Sequence, residues 1–287
     1  MLTDLISALV RALSFVALFQ AAGIVIFVAI FGRDLKSTFE PIRHLGRAAA
    51  IAGIVLVMMH LNLEAARMAG ALSGVFDASL QFLVLDSPMS VAAVLRIVGL
   101  TAILVALAQA GRISRTRMHI GLGGIALIIA GFLIVGHTAV HPDRTWLAVL
   151  LGLHLAVVAF WFGALIPLVL VSRQERGATA TQIAERFSRI ASWWVPCILI
   201  AGVLLTAMLV DRWAVFGQSY GALLLGKVAG FLVLMVLAAL NRWRYAPVLS
   251  RSSVAVAFQR TVAAEYVLIC IVLTATAIMT TFFSPES

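Results

Sequence analysis

The stretch GHTAVHPDRTWLAVLLGLH, residues 136–154, sets His137 and His141 around a short polar turn and His154 inside an apolar run. A second stretch, HLNLEAARM, begins at His60. His60 and Glu64 are four residues apart and share a helix face; Met68 continues that face, and Arg67 lies one turn from Glu64. Imidazole nitrogen and thioether sulfur together suit copper, with thioether favouring Cu(I). Met59 and Met68 are the thioethers offered beside His60. A methionine alone in an apolar helix is more often packing than ligand, so the argument rests on its pooling with histidine. Cys197 and Cys270 lie in apolar runs and form neither a disulfide framework nor a metal motif.

These residues need elements to hold them. The chain is 63% hydrophobic and 11% charged, far from the balance of a soluble domain. Eight apolar runs are long enough to cross a bilayer: about 5–31, 44–68, 91–110, 119–137, 146–171, 187–210, 220–245 and 262–283. Backbone groups in lipid must be satisfied internally, and barrel-type alternation is absent, so the runs predict helices. The first run is too long for the apolar region of a signal peptide and predicts a span. The fold class is therefore an all-α integral membrane protein, a bundle of eight transmembrane helices in one domain covering 1–287.

The net charge of +9 does not point to nucleic acid, because position explains it. Arg33, Lys36, Arg43 and Arg47 follow the first span. Arg112, Arg115 and Arg117 follow the third, Arg173, Arg176, Arg186 and Arg189 the fifth, and Arg242, Arg244, Arg251 and Arg260 the seventh. All fall on one side, which the positive-inside rule makes cytoplasmic, so both termini are expected on the outer side. Trp146, Trp193, Trp194, Trp213 and Trp243 fall near span ends, where interfacial anchors belong. At 1.5 Å per residue, His60 and His154 lie at matched depths of roughly 12 Å below the outer end. His137 and His141 stand at the outer surface, while His44 and His119 open spans at the inner face. Charged groups inside spans should face the bundle, which predicts a Glu64–Arg96 ion pair and a Glu265 that caps or pairs with Arg242 or Arg260.

The C-terminal part, about 186–285, carries RFSRIASWWVPCILIAGVLLTAMLV from Arg186. After it come YGALLLGKVAGFLVLMVLAALNRWRYAPVL from Tyr220 and RTVAAEYVLICIVLTATAIMTTFFSP from Arg260. Upstream stand Gly136–His137, HLAVVAFWFGAL at His154–Leu165, and ARMAG at Ala66–Gly70. With its RFS start, YG…K segment, LNR end and Glu-bearing last span, the chain resembles the copper resistance protein D (CopD) family of inner-membrane proteins. Ala164 departs from the pattern, where the family often has a second glycine. The resemblance implies a multi-pass protein of the inner (plasma) membrane that handles copper, moves it inward and works with a separate periplasmic CopC-type copper-binding protein.

Residues and resemblance together predict copper transport or homeostasis rather than an enzyme. His137 and His141 form an outer capture site, with Asp143 drawing cations to it. Copper then passes to a deeper site of His60 and His154, with Met59 or Met68 as thioether. The inner half shows no comparable ligand series, and no nucleotide-binding motif supports ATP-driven pumping. An alternative stays open: a b-type haem electron-transfer protein, in which His60 and His154 are the two axial ligands. A purely structural subunit, with histidines bonding between helices, is a third reading.

Overall fold

The structure, a computed structural model, describes residues 2–111, 113–136, 139, 141–209 and 219–282. Its secondary structure is helical throughout the described residues: α1 Leu2–Phe31, α2 Phe39–Ala69, a 3-10 turn Leu72–Phe76 and α3 Ala78–Leu85 come first. Then follow α4 Pro88–Ala106, α5 Arg115–Leu133, α6 Arg144–Gln174, α7 Gly177–Leu209 and α8 Ser219–Leu240. A π turn Asn241–Tyr245 and a 3-10 turn Ala246–Val248 lead into α9 Ser252–Phe282. All but α3 are long and apolar enough to cross a membrane, giving the eight expected spans.

Several helices overrun their apolar stretches. α2 starts at Phe39 rather than near 44, α7 at Gly177 rather than near 187, and α9 at Ser252 rather than near 262. An apolar run marks the hydrocarbon layer, whereas a helix continues until a cap ends it. α2 ends at Gly70, whose φ of 69° is left-handed and whose N–H returns to the Arg67 carbonyl. The 3-10 turn and α3 were not expected. α3 is nucleated by Asp77, whose carboxylate accepts from the Ser79 and Leu80 amides.

α1 is the hub. Of its most apolar stretch 72% is buried, against 6% for the span Gly221–Val248. It packs on α2, α6 and α9, and α2 and α6 meet each other only marginally. The α1–α6 crossing is a backbone contact: a Cβ added at Gly23 would lie 2.1 Å from the Ala159 carbonyl oxygen and 2.5 Å from Gly163 Cα. Ala164, the departure from the family pattern, is fully buried beside this crossing without entering it. Pro167 has no N–H for the Gly163 carbonyl four residues back, and Gln20 of α1 supplies the donor, Nε2 to Gly163 O at 3.1 Å.

Both ends are tied. At one, Arg11 of α1 and Arg67 of α2 donate to the Thr280 and Thr281 carbonyls at 3.1 and 3.3 Å. These lie in the last turn of α9, where carbonyls lack intrahelical donors. The start of α1 and the end of α9 therefore share one end of the bundle, called here the terminal end. At the other, basic end, Glu175 Oε1 accepts from the Lys36, Ser37 and Thr38 amides and the Thr38 hydroxyl at 2.8–3.0 Å. This caps the N-terminus of α2 from the α6–α7 corner. Arg186 adds an ion pair to Asp34 at 3.2 Å. Exposed Trp146 opens α6 and exposed Trp243 follows α8, whereas exposed Trp193 and Trp194 stand at the middle of α7, because that helix starts ahead of its apolar run; Trp213 lies outside the described residues.

Candidate functional site

His60 is carried by the terminal half of α2 and is 7% exposed. Its Nδ1 lies 3.4 Å from the Ser7 hydroxyl of α1, and its Nε2 is 3.8 Å from Glu64 Oε1, one turn along the same face. Glu64 does not pair with Arg96. Both its oxygens accept from Arg67 Nη1, at 3.1 and 3.0 Å, and Arg67 reaches on to Asp4 at 3.4 Å. Arg96 instead donates to the Gly131 carbonyl at 2.8 Å and lies 4.2 Å from the Phe132 ring centroid. Helix spacing decides this: Arg67 is i+3 to Glu64 on one helix, whereas Arg96 faces α5.

His154 lies on α6, half-buried, with Nδ1 3.2 Å from the Ile198 carbonyl of α7. A carbonyl only accepts, so Nδ1 carries the proton and the Nε2 lone pair is left for another partner. This is how a metal-ligating imidazole is usually oriented from behind.

The remaining expected ligands scatter. His141 Nδ1 accepts from the Asp143 amide at 3.0 Å, which closes the turn into α6. His137 lies outside the described residues. Met59 and Met68 are 47% and 57% exposed, on the outside of the bundle rather than turned into it. His44 and His119 are exposed at the basic end. Among the described residues no three His, Cys, Asp or Glu side chains gather into a metal-sized group. His60 bonds towards α1 and His154 towards α7, with α1 packed between their helices.

A second polar cluster joins three elements in the basic half. Trp161 Nε1 of α6 donates to Glu265 Oε2 of α9 at 3.2 Å, and Asn241 Nδ2 of the π turn donates to Oε1 at 2.5 Å. The Thr261 hydroxyl meets Asn241 Oδ1 at 2.5 Å. Glu265 thus takes neither Arg242 nor Arg260 as partner: Arg242 donates to the Ser188 carbonyl and the Ser192 hydroxyl, and Arg260 is exposed. Trp161 and Asn241 stand in the HLAVVAFWFGAL and LNR elements, but the sequence reading gave neither a site role. The available signal was Trp161 standing mid-span while the other tryptophans sit near span ends.

Fold and polar groups together define a multi-pass helical membrane protein with titratable groups inside the bundle. Residues 1–145 match the family model for the copper resistance protein D-like N-terminal domain, and residues 181–279 match that for copper resistance protein D. The chain belongs to the copper resistance protein D family. It is 29% identical over 267 residues to "Copper resistance protein D" of Pseudomonas syringae pv. tomato, covering 87% of this chain and 85% of that one. It is 30% identical over 155 residues to "Copper transport protein CutJ" of Bacillus subtilis (strain 168), covering 52% of this chain but 28% of that longer protein. No solved structure matches the chain.

Proposed function

We propose that the protein takes copper from the outer face of the inner membrane and passes it inward through the terminal half of the bundle. The terminal end is then the outer one, because the opposite end carries most of the arginines and lysines. All of 1–287 acts as one domain. His137 and His141 receive the ion at the mouth, and Asp143, 61% exposed at its side chain, adds negative charge there. His154 and His60 bind it in turn, each from its own helix contact. Met68, in the last turn of α2, offers its thioether near the mouth, and Met59, beside His60, serves the deeper site only by turning in from the outer surface of α2. A separate periplasmic CopC-type protein is the proposed donor of the ion.

The observation that carries this reading is His154, whose Nδ1–H is fixed by the Ile198 carbonyl so that Nε2 keeps a lone pair for metal. The haem alternative has less support. One haem between His60 and His154 needs both rings on a common cavity, but His60 bonds to α1 and His154 to α7, and α1 packs between the helices that carry them. The purified protein in detergent tests both. Copper should bind without a Soret band, and His154→Ala should weaken binding at least about tenfold. A Soret band with stoichiometric iron, or unchanged copper affinity in His154→Ala, contradicts the proposal.

A further inference from the structure

The Glu265 cluster plays no part in the copper route and asks for its own explanation. Glu265 is 3% exposed inside the basic half of the bundle. No Arg, Lys or His among the described residues ion-pairs with its carboxylate. The titratable groups on the elements packed against α9 are engaged elsewhere or stand far along the helices. On α1, Asp4 and Arg11 are at the terminal end, where Arg11 binds the Thr280 carbonyl. On α6, Arg144 and His154 lie towards the terminal end, while Arg173 bonds Gln259 at 3.2 Å. Tyr220 and Lys227 are in the terminal half of α8. Arg242 of the π turn is bonded to α7, Arg244 is exposed and Tyr245 is half-buried. On α9 itself, Tyr266 stacks on Phe162, and Cys270 lies more than a turn further in.

An ionised carboxylate held in lipid without a cation is costly, and two neutral N–H donors offset that cost only in part. The neutral acid avoids the cost but must place its own O–H. The chain of contacts solves this in both states. With the carboxylate ionised, the Thr261 hydroxyl donates to the Asn241 oxygen and the Asn241 amide donates to Glu265. With a proton on Glu265, the Asn241 amide turns over. Its oxygen then accepts the Glu265 O–H, and its N–H donates to Thr261 Oγ1. The Thr261 hydroxyl in turn donates to the Phe258 or Ala257 carbonyl, which lie 2.9 and 3.1 Å away. The Glu265 carboxyl, the Asn241 oxygen and nitrogen and the Thr261 hydroxyl each keep a partner in both states, and no heavy atom needs a new position beyond exchange of the amide O and N. Asn241 is placed for this by a π turn, an interruption of helix that recurs at functional sites. Exposed Arg260 is five residues, about 7.5 Å, along the helix from Glu265, so the basic face is a short way off.

We propose that Glu265 is an intramembrane proton-binding site that exchanges with the basic face, with the Asn241 amide turning over as the proton enters and leaves. The proton forms one O–H bond on the carboxylate and leaves by the same route, with no change of oxidation state.

Infrared spectroscopy of the full-length, copper-free protein in lipid tests this independently of the copper reading. A protonated-carboxyl stretching band should disappear as pH is raised and be missing from Glu265→Gln. Trp161→Phe removes a donor that binds the charged form about twice as strongly as the neutral one, so the midpoint should move up by about one pH unit. The proposal is overturned if no such band appears, if the band survives in Glu265→Gln, or, should that variant not fold, if the midpoint in Trp161→Phe does not move.

Discussion

Glu175 shows how a single side chain can tie two distant segments. One carboxylate oxygen collects three successive amides and a hydroxyl at the start of α2, all more than 130 residues away in sequence. Burial works to raise its carboxyl. The hydrogen bonds from Thr38, Lys36 and Ser37 outweigh that and hold the group below its ordinary range. Because the folded value is depressed, the stabilisation is complete above the unfolded-state value of about 4.3 and is lost as pH falls through the folded value. Glu175→Gln should cost about 1 kcal/mol at neutral pH, as loss of a cap does. In thermal unfolding of the detergent-solubilised protein, the gap between wild type and variant should narrow as pH falls below the unfolded-state value of about 4.3 and close once pH has passed through the depressed folded value. A gap of the same size at pH 3 and pH 7 would show that the charge is not what holds the corner.

At the scale of elements, the central contact is α1 on α6. Two glycines let the backbones touch, and Gln20 fills the carbonyl that Pro167 leaves open. A methyl group at Gly163 would lie 2.4 Å from Gly23 Cα, with backbone rather than a flexible side chain in its way. Gly163→Ala should therefore push the helices apart and cost about 3 kcal/mol, seen as a lower melting temperature in detergent. Gly152→Ala, whose added Cβ has no neighbour closer than 3.8 Å, is the control that should change little. The eight spans were legible because apolar length alone announces a bilayer crossing. The helix ends were not, because caps such as Gly70 and the Glu175 bridge act outside the apolar stretch or across the fold. The same limit explains Glu64. Its partner could be chosen only once the structure showed Arg96 turned towards Gly131 and Phe132. His154 was visible as an imidazole in an apolar run, but nothing in the sequence pointed to the Ile198 carbonyl that sets its tautomer.

At the scale of the whole molecule, the two halves of the bundle carry different chemistry. The terminal half holds His60, His154 and His141, with Glu64 and Asp4 tied to Arg67. The basic half holds oxygen and amide groups around Glu265, a hard set suited to a proton rather than to a soft metal ion. In the proposed account metal enters through the first half, and the second is where a proton is held. The most direct test of the central claim is copper uptake into liposomes that contain the purified protein and a lumenal copper-responsive dye. Wild-type protein should carry copper to the dye, and the His60→Ala/His154→Ala double variant should slow uptake at least about tenfold while keeping its melting temperature within a few degrees. Uptake at the wild-type rate by a folded double variant would contradict the account.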